Sequence, residues 1–74
     1  MNHNFLHIVS HGEGWAILRE GAKQPTSAHK TQKEAIDAAR QIALREEGEI
    51  LIHGEDGKIR ERYSYGNDPV KSSG

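Results

Sequence analysis

Apolar positions follow two different periods along the chain. Between residues 35 and 43, Ala35, Ile36, Ala39, Ile42 and Ala43 recur at three- and four-residue spacing, which lays one apolar stripe along a helix. Lys33, Asp37, Arg40, Gln41 and Arg45 fall off that stripe. Directly before it, Thr31-Gln32-Lys33-Glu34 forms a capping box, in which the Thr31 hydroxyl accepts from the Glu34 amide and the Glu34 side chain reaches back. Gly48 stands where a left-handed residue would end the helix. The spacing predicts a helix over residues 32–46. Its stripe is mostly alanine, so the helix can approach a flat partner closely, and a sheet is the flattest one available.

The remaining apolar residues follow the two-residue period of strands. Glu49 to His53 is β-branched and apolar, Gly54-Glu55-Asp56-Gly57 carries the Asp-Gly hairpin signal, and Lys58 to Tyr65 alternates as the return strand. An even-length loop places Ile50, Ile52, Ile59, Glu61 and Tyr63 on one face and Leu51, His53, Lys58, Arg60 and Arg62 on the other. The first face is expected to take the helix, and the second to meet solvent or a partner. Before the helix, Phe5 to Ser10 and Trp15 to Glu20 read as strands joined by a turn at His11-Gly12-Glu13-Gly14. Thr26-Ser27-Ala28-His29 is a candidate for a short third strand. The expected fold is therefore α+β. An antiparallel sheet of two hairpins carries one amphipathic helix on one face, in the order β-β-(β)-α-β-β, as one domain over residues 1–69 with a disordered tail at 70–74.

Composition narrows the function more than it names it. Seventy-four residues make one small domain with a small core. Cysteine is absent, which excludes disulfides and thiolate metal sites and suits a reducing, cytoplasmic setting. Ten Lys+Arg against eleven Asp+Glu leave a formal net charge of -1, which excludes a grossly basic nucleic-acid binder but not a local basic patch. No apolar run approaches the ~18 residues of a membrane span, and the first residues lack the pattern of a signal peptide.

Five segments resemble a small bacterial family, domain of unknown function 2188. They are Gly14-Trp15-Ala16, Arg19-Glu20-Gly21, Thr31 to Ile36, Ile52-His53-Gly54-Glu55-Asp56-Gly57-Lys58-Ile59-Arg60 and Ser64-Tyr65-Gly66-Asn67-Asp68-Pro69. The resemblance covers residues 5–69 and implies a small α+β bacterial domain. It brings no activity and so transfers no functional residues. Relatives of this kind often end in Pro-Pro-Lys-Gly, where this chain has Val70-Lys71-Ser72-Ser73-Gly74.

Candidate chemistry is sparse. His3, His7 and His11 recur every four residues, but on a strand successive members lie ~13 Å apart, too far for one metal ion. His29 and His53 could meet only if the sheet brought them together. Ser64 and His53 share the hairpin without a register that would make a catalytic pair, and no cysteine nucleophile exists. Gly12-x-Gly14 precedes a strand, so it reads as a turn and not as a phosphate loop. Enzyme activity and a cofactor are therefore not expected.

The candidate partner-binding residues are Leu44, Leu51, His53, Lys58, Arg60 and Arg62. Lys58, Arg60 and Arg62 would project together at ~6.6 Å intervals, a spacing suited to phosphates or an acidic protein, or simply to a solvated face whose charges discourage edge pairing. Leu44 lies off the helix stripe and Leu51 on the basic face. Each is either an isolated exposed apolar residue or a contact with a second subunit. Trp15 is either core or interface. The expected function is a non-enzymatic interaction module, self-associating as a homodimer that buries Leu44 and Leu51 together. The alternative is a weak nucleic-acid-binding accessory domain using the basic strand face.

Overall fold

The computed structural model describes residues 4–65. The elements in chain order are β1 (Phe5–His11), β2 (Gly14–Arg19), β3 (Ser27–His29), α1 (Gln32–Glu46), β4 (Glu49–His53) and β5 (Ile59–Ser64). The expectations for His3 and for the tail from Gly66 onward fall outside the described residues.

The helix begins where its cap places it. Thr31 is extended, and its hydroxyl accepts from the Glu34 amide at 3.1 Å. The far end differs from expectation. Glu47, not Gly48, is the left-handed residue, with φ 59°, and its amide reaches the Ala43 carbonyl. Gly48 is needed for a different reason. A Cβ there would lie 2.3 Å from the Asn4 carbonyl oxygen, because the chain passes flat against the start of β1. Glu49 donates to that same Asn4 carbonyl at 2.9 Å, and Tyr65 donates to the Gly48 carbonyl at 2.9 Å.

The five strands form one sheet in the order β3-β2-β1-β4-β5. The β1–β2 and β4–β5 hairpins are antiparallel, as alternation predicts. The two hairpins join through β1 and β4, however, and that pair is parallel, with Leu6 opposite Ile50 and Ile8 opposite Ile52. The sheet is mixed and not purely antiparallel. The helix between β3 and β4 is the crossover that a parallel pair requires.

The core lies between α1 and one sheet face. Leu6, Ile8, Ile17, Ile50 and Ile52 meet Ala35, Ala39 and Ala43, all fully or almost fully buried. Trp15 is half-buried against this cluster. Arg19 closes the layer at the helix end with two hydrogen bonds to the Glu46 carboxylate, at 3.0 and 2.9 Å. That pairing holds the Glu46 carboxyl below its ordinary value of 4.5 and raises the Arg19 guanidinium.

A bulge between Ile52 and His53 breaks the parity of the second hairpin. Ile52 still faces Glu61 and Ile50 faces Tyr63, but His53 faces Ile59, which leaves Arg60 as the extra residue. Ile59 therefore leaves the expected core face and is 56% exposed beside His53. Arg60 moves the other way. Its guanidinium lies over Gly54, where a Cβ would touch it, and it lines a groove with Trp15, Gln32 and Ile36 from the helix side. Glu61 and Tyr63 keep the helix-facing side, but β5 lies at the sheet edge and both stay exposed.

Candidate functional site

The face of the sheet opposite α1 is covered by no other element among the described residues. The register arranges it in rows. Leu18, His7, Leu51 and Arg62 lie side by side across β2, β1, β4 and β5. Phe5 and Glu49 pair in the row on one side, and Val9 pairs with Ala16 in the row on the other. Val9, Leu18 and Leu51 are half-buried and Ala16 is fully buried, and no second layer packs over them among the described residues. The surface has an apolar centre with polar groups set into it.

Those polar groups are joined. His7 Nδ1 lies 2.9 Å from His53 Nε2, and the two rings sit 5.1 Å apart with a 42° tilt. The other nitrogen of His7, Nε2, meets Glu20 Oε1 at 2.5 Å. The other nitrogen of His53, Nδ1, lies 3.0 Å from the Gly57 carbonyl oxygen. A continuous chain of contacts thus runs from the β2 end to the β4–β5 turn. The parallel β1–β4 pairing creates it, and β1 and β4 are too far apart in sequence for local spacing to announce it. A usable signal existed in the outward parity of His7, between the inward residues Leu6 and Ile8, and of His53 after Ile52.

The expected partner-binding residues divide between the layers. Leu51, His53 and Arg62 share the helix-free face. Arg60 does not, because of the bulge, so the basic ladder is broken. Arg62 Nε donates to Glu49 at 3.1 Å, and Arg60 lies 3.8 Å from Asp56. Lys58 closes the turn, its amide donating to Asp56 Oδ1 at 3.0 Å. Leu44 lies on the outer surface of α1, 54% exposed. Leu44 and Leu51 therefore sit on opposite sides of the two layers, and one two-fold contact cannot bury both. His29 bonds Ser27 at 2.8 Å on the helix side of the sheet, not His53. Ser64 pairs with Glu49, at the far end of the ladder from His53.

One groove of about 530 Å³ opens where α1 begins, between Trp15, Ile36, Ile52, Arg60 and Glu61. Its single guanidinium is outnumbered by Glu55, Asp56 and Glu61. Among the described residues, no group of three or more His, Asp or Glu is placed to hold a metal ion, and no helix is long and apolar enough to cross a membrane.

The comparisons agree with the resemblance. A family described as an uncharacterized protein conserved in bacteria (DUF2188) matches residues 6–65. The uncharacterized protein YdaT of Bacillus subtilis is 36% identical over 61 residues, which is 82% of this chain. The match spans 41% of that relative's length. No solved structure matches the chain. With most of its length matched, from β1 to Tyr65, the chain belongs to the DUF2188 family.

Proposed function

We propose that the chain is a non-enzymatic docking module that associates with a second copy of itself through the helix-free sheet face. The observation that carries this reading is the apolar row of Leu18, His7 and Leu51, flanked by Val9, on a face that no described element covers. A face of this kind is the usual mark of an interaction surface.

Area and symmetry favour a second copy as the occupant. The four long strands span about 19 Å across and about 23 Å along β1. Two such faces bury on the order of 1,000 Å², the lower bound for a specific interface, so the dimer is weak. Glu20 and Arg62 lie on opposite sides of the apolar centre. A two-fold axis along the strands, between β1 and β4, lays β5 of each copy over β2 of the other and Leu51 over His7, so the apolar centres meet while Arg62 stays on Glu49 and Glu20 on His7. The β5 edge is a poorer route. Antiparallel self-pairing centred on its charged middle sets Glu61 against Glu61, or arginine against arginine.

Sedimentation equilibrium from micromolar to near-millimolar protein tests the reading. The expected result is a dimer that Leu18→Lys and Leu51→Lys abolish and Leu44→Lys leaves intact. A strictly monomeric mass across that range would overturn it and leave the face to some other molecule. Weak nucleic-acid binding finds less support, since Arg60 leaves the ladder and Arg62 is held by Glu49. Its mark would be binding that falls steeply with salt, which apolar association does not do.

A further inference from the structure

We propose that self-association through this face is coupled to proton uptake by the Glu20–His7–His53 chain. The inference rests on the docking reading above and adds its regulation.

Counting protons leads to it. The Gly57 carbonyl can only accept, so His53 Nδ1 carries a hydrogen and donates to it. A neutral His53 then has a bare lone pair on Nε2, which faces His7 Nδ1. That contact is a hydrogen bond only if His7 Nδ1 carries a hydrogen. His7 Nε2 faces a carboxylate oxygen of Glu20, an acceptor when ionised. That contact also needs a hydrogen. Three contacts need three hydrogens, and two neutral imidazoles supply two. With Glu20 ionised, the chain is complete only when it has taken up one more proton, as a His7 imidazolium against the Glu20 carboxylate.

The protonated chain is neutral overall, an ion pair beside a neutral imidazole. The unprotonated chain carries one net negative charge and brings two lone pairs into contact. Covering the face removes water, which penalises an unpaired charge far more than a hydrogen-bonded pair. The dimer therefore favours the protonated chain and tightens as pH falls. The other charged and titratable groups facing His7 do not reverse this sign. Glu49 of β4 and Arg62 of β5 are paired with each other, and His11 lies exposed at the far end of β1, beyond Val9. The helix and its Arg19–Glu46 pair lie on the opposite side of the sheet.

Glu20→Gln separates this account from a general effect of pH. An amide at residue 20 can donate to His7 Nε2, so the third hydrogen is supplied without an added proton. The measurement is the dimer constant of the full chain by sedimentation equilibrium at about pH 6 and about pH 8, which bracket ordinary histidine titration. It is accompanied by imidazole ¹⁵N spectra. The wild type is expected to dimerise roughly tenfold more tightly at the lower pH, with both His7 nitrogens protonated there. Glu20→Gln is expected to dimerise equally at both, with His7 protonated on one nitrogen. His7→Phe, which removes both ring hydrogen bonds, is expected to lose the pH dependence whatever its dimer constant. A wild-type dimer indifferent to pH would overturn the coupling and leave the docking reading standing. A monomer at both pH values would overturn both.

Discussion

The connection between α1 and β4 places two adjacent residues under opposite demands. Glu47 takes the left-handed conformation that side chains resist, while Gly48 uses the close approach to Asn4 that only glycine allows. Glu47→Gly is therefore expected to stabilise the fold by about 1 kcal/mol. Gly48→Ala is expected to destabilise it by ~1–3 kcal/mol, since the new methyl meets backbone. Urea unfolding of the two variants checks the pair, and the same sign for both would contradict the assignment. At the other end of the helix, Thr31→Ala removes the acceptor for the Glu34 amide and is expected to cost ~1 kcal/mol, or roughly 4–8 °C in Tm. The Arg19–Glu46 pair gives a pH signature. The folded state lowers the Glu46 value below 4.5 through the Arg19 hydrogen bonds, so the pair stabilises above that pH. The contribution fades as pH falls through and below 4.5. Both side chains are about one-third exposed, so the contribution is small, ~0.2–1 kcal/mol. Glu46→Gln is expected to flatten the acid limb of a stability-against-pH curve by that amount, with the neutral-pH fold retained.

Among the elements, the second hairpin separates core from surface by a single extra residue. Ile52→Ala is expected to cost ~2–5 kcal/mol, because Ile52 is almost fully buried under the helix. Ile59→Ala is expected to cost less than ~0.5 kcal/mol, because the bulge turns Ile59 outward. Equal losses in thermal unfolding would mean an unbroken two-residue alternation. That contrast marks where local pattern stops informing. The helix was legible to the residue, since a cap and a stripe act within one turn of the chain. The hairpins were legible because their partners are neighbours in sequence. The parallel β1–β4 pairing was not, because alternation within a strand does not say which distant strand lies beside it. The bulge was not legible either, since Lys58-Ile59-Arg60 carries no glycine to announce it. The candidate surface followed the same division. Leu51, His53 and Arg62 were placed together by parity that survives, Arg60 was misplaced by the bulge, and His7 and Glu20 joined His53 only through the parallel pair.

For the whole molecule, the distribution of apolar side chains is the governing fact. Only one sheet face meets the helix, and all three buried helix positions are alanines, so the core is thin. Domains of this size commonly gain stability by disulfides, metal or oligomerisation, and the first is excluded here by the absence of cysteine. If the helix-free face is covered by a second copy, Tm rises with protein concentration by mass action, and Leu51→Lys removes that dependence. The arrangement also fixes which strands meet. With a two-fold axis between β1 and β4, Leu51 of one copy lies over His7 and Val9 of the other. The most direct measurement is an isotope-filtered NMR experiment on an equal mixture of labelled and unlabelled protein at near-millimolar concentration. The account predicts intermolecular contacts from the Leu51 methyl groups to the His7 ring and the Val9 methyl groups. Intermolecular contacts only from Leu44 or from the β5 edge, or none at any concentration, would contradict it.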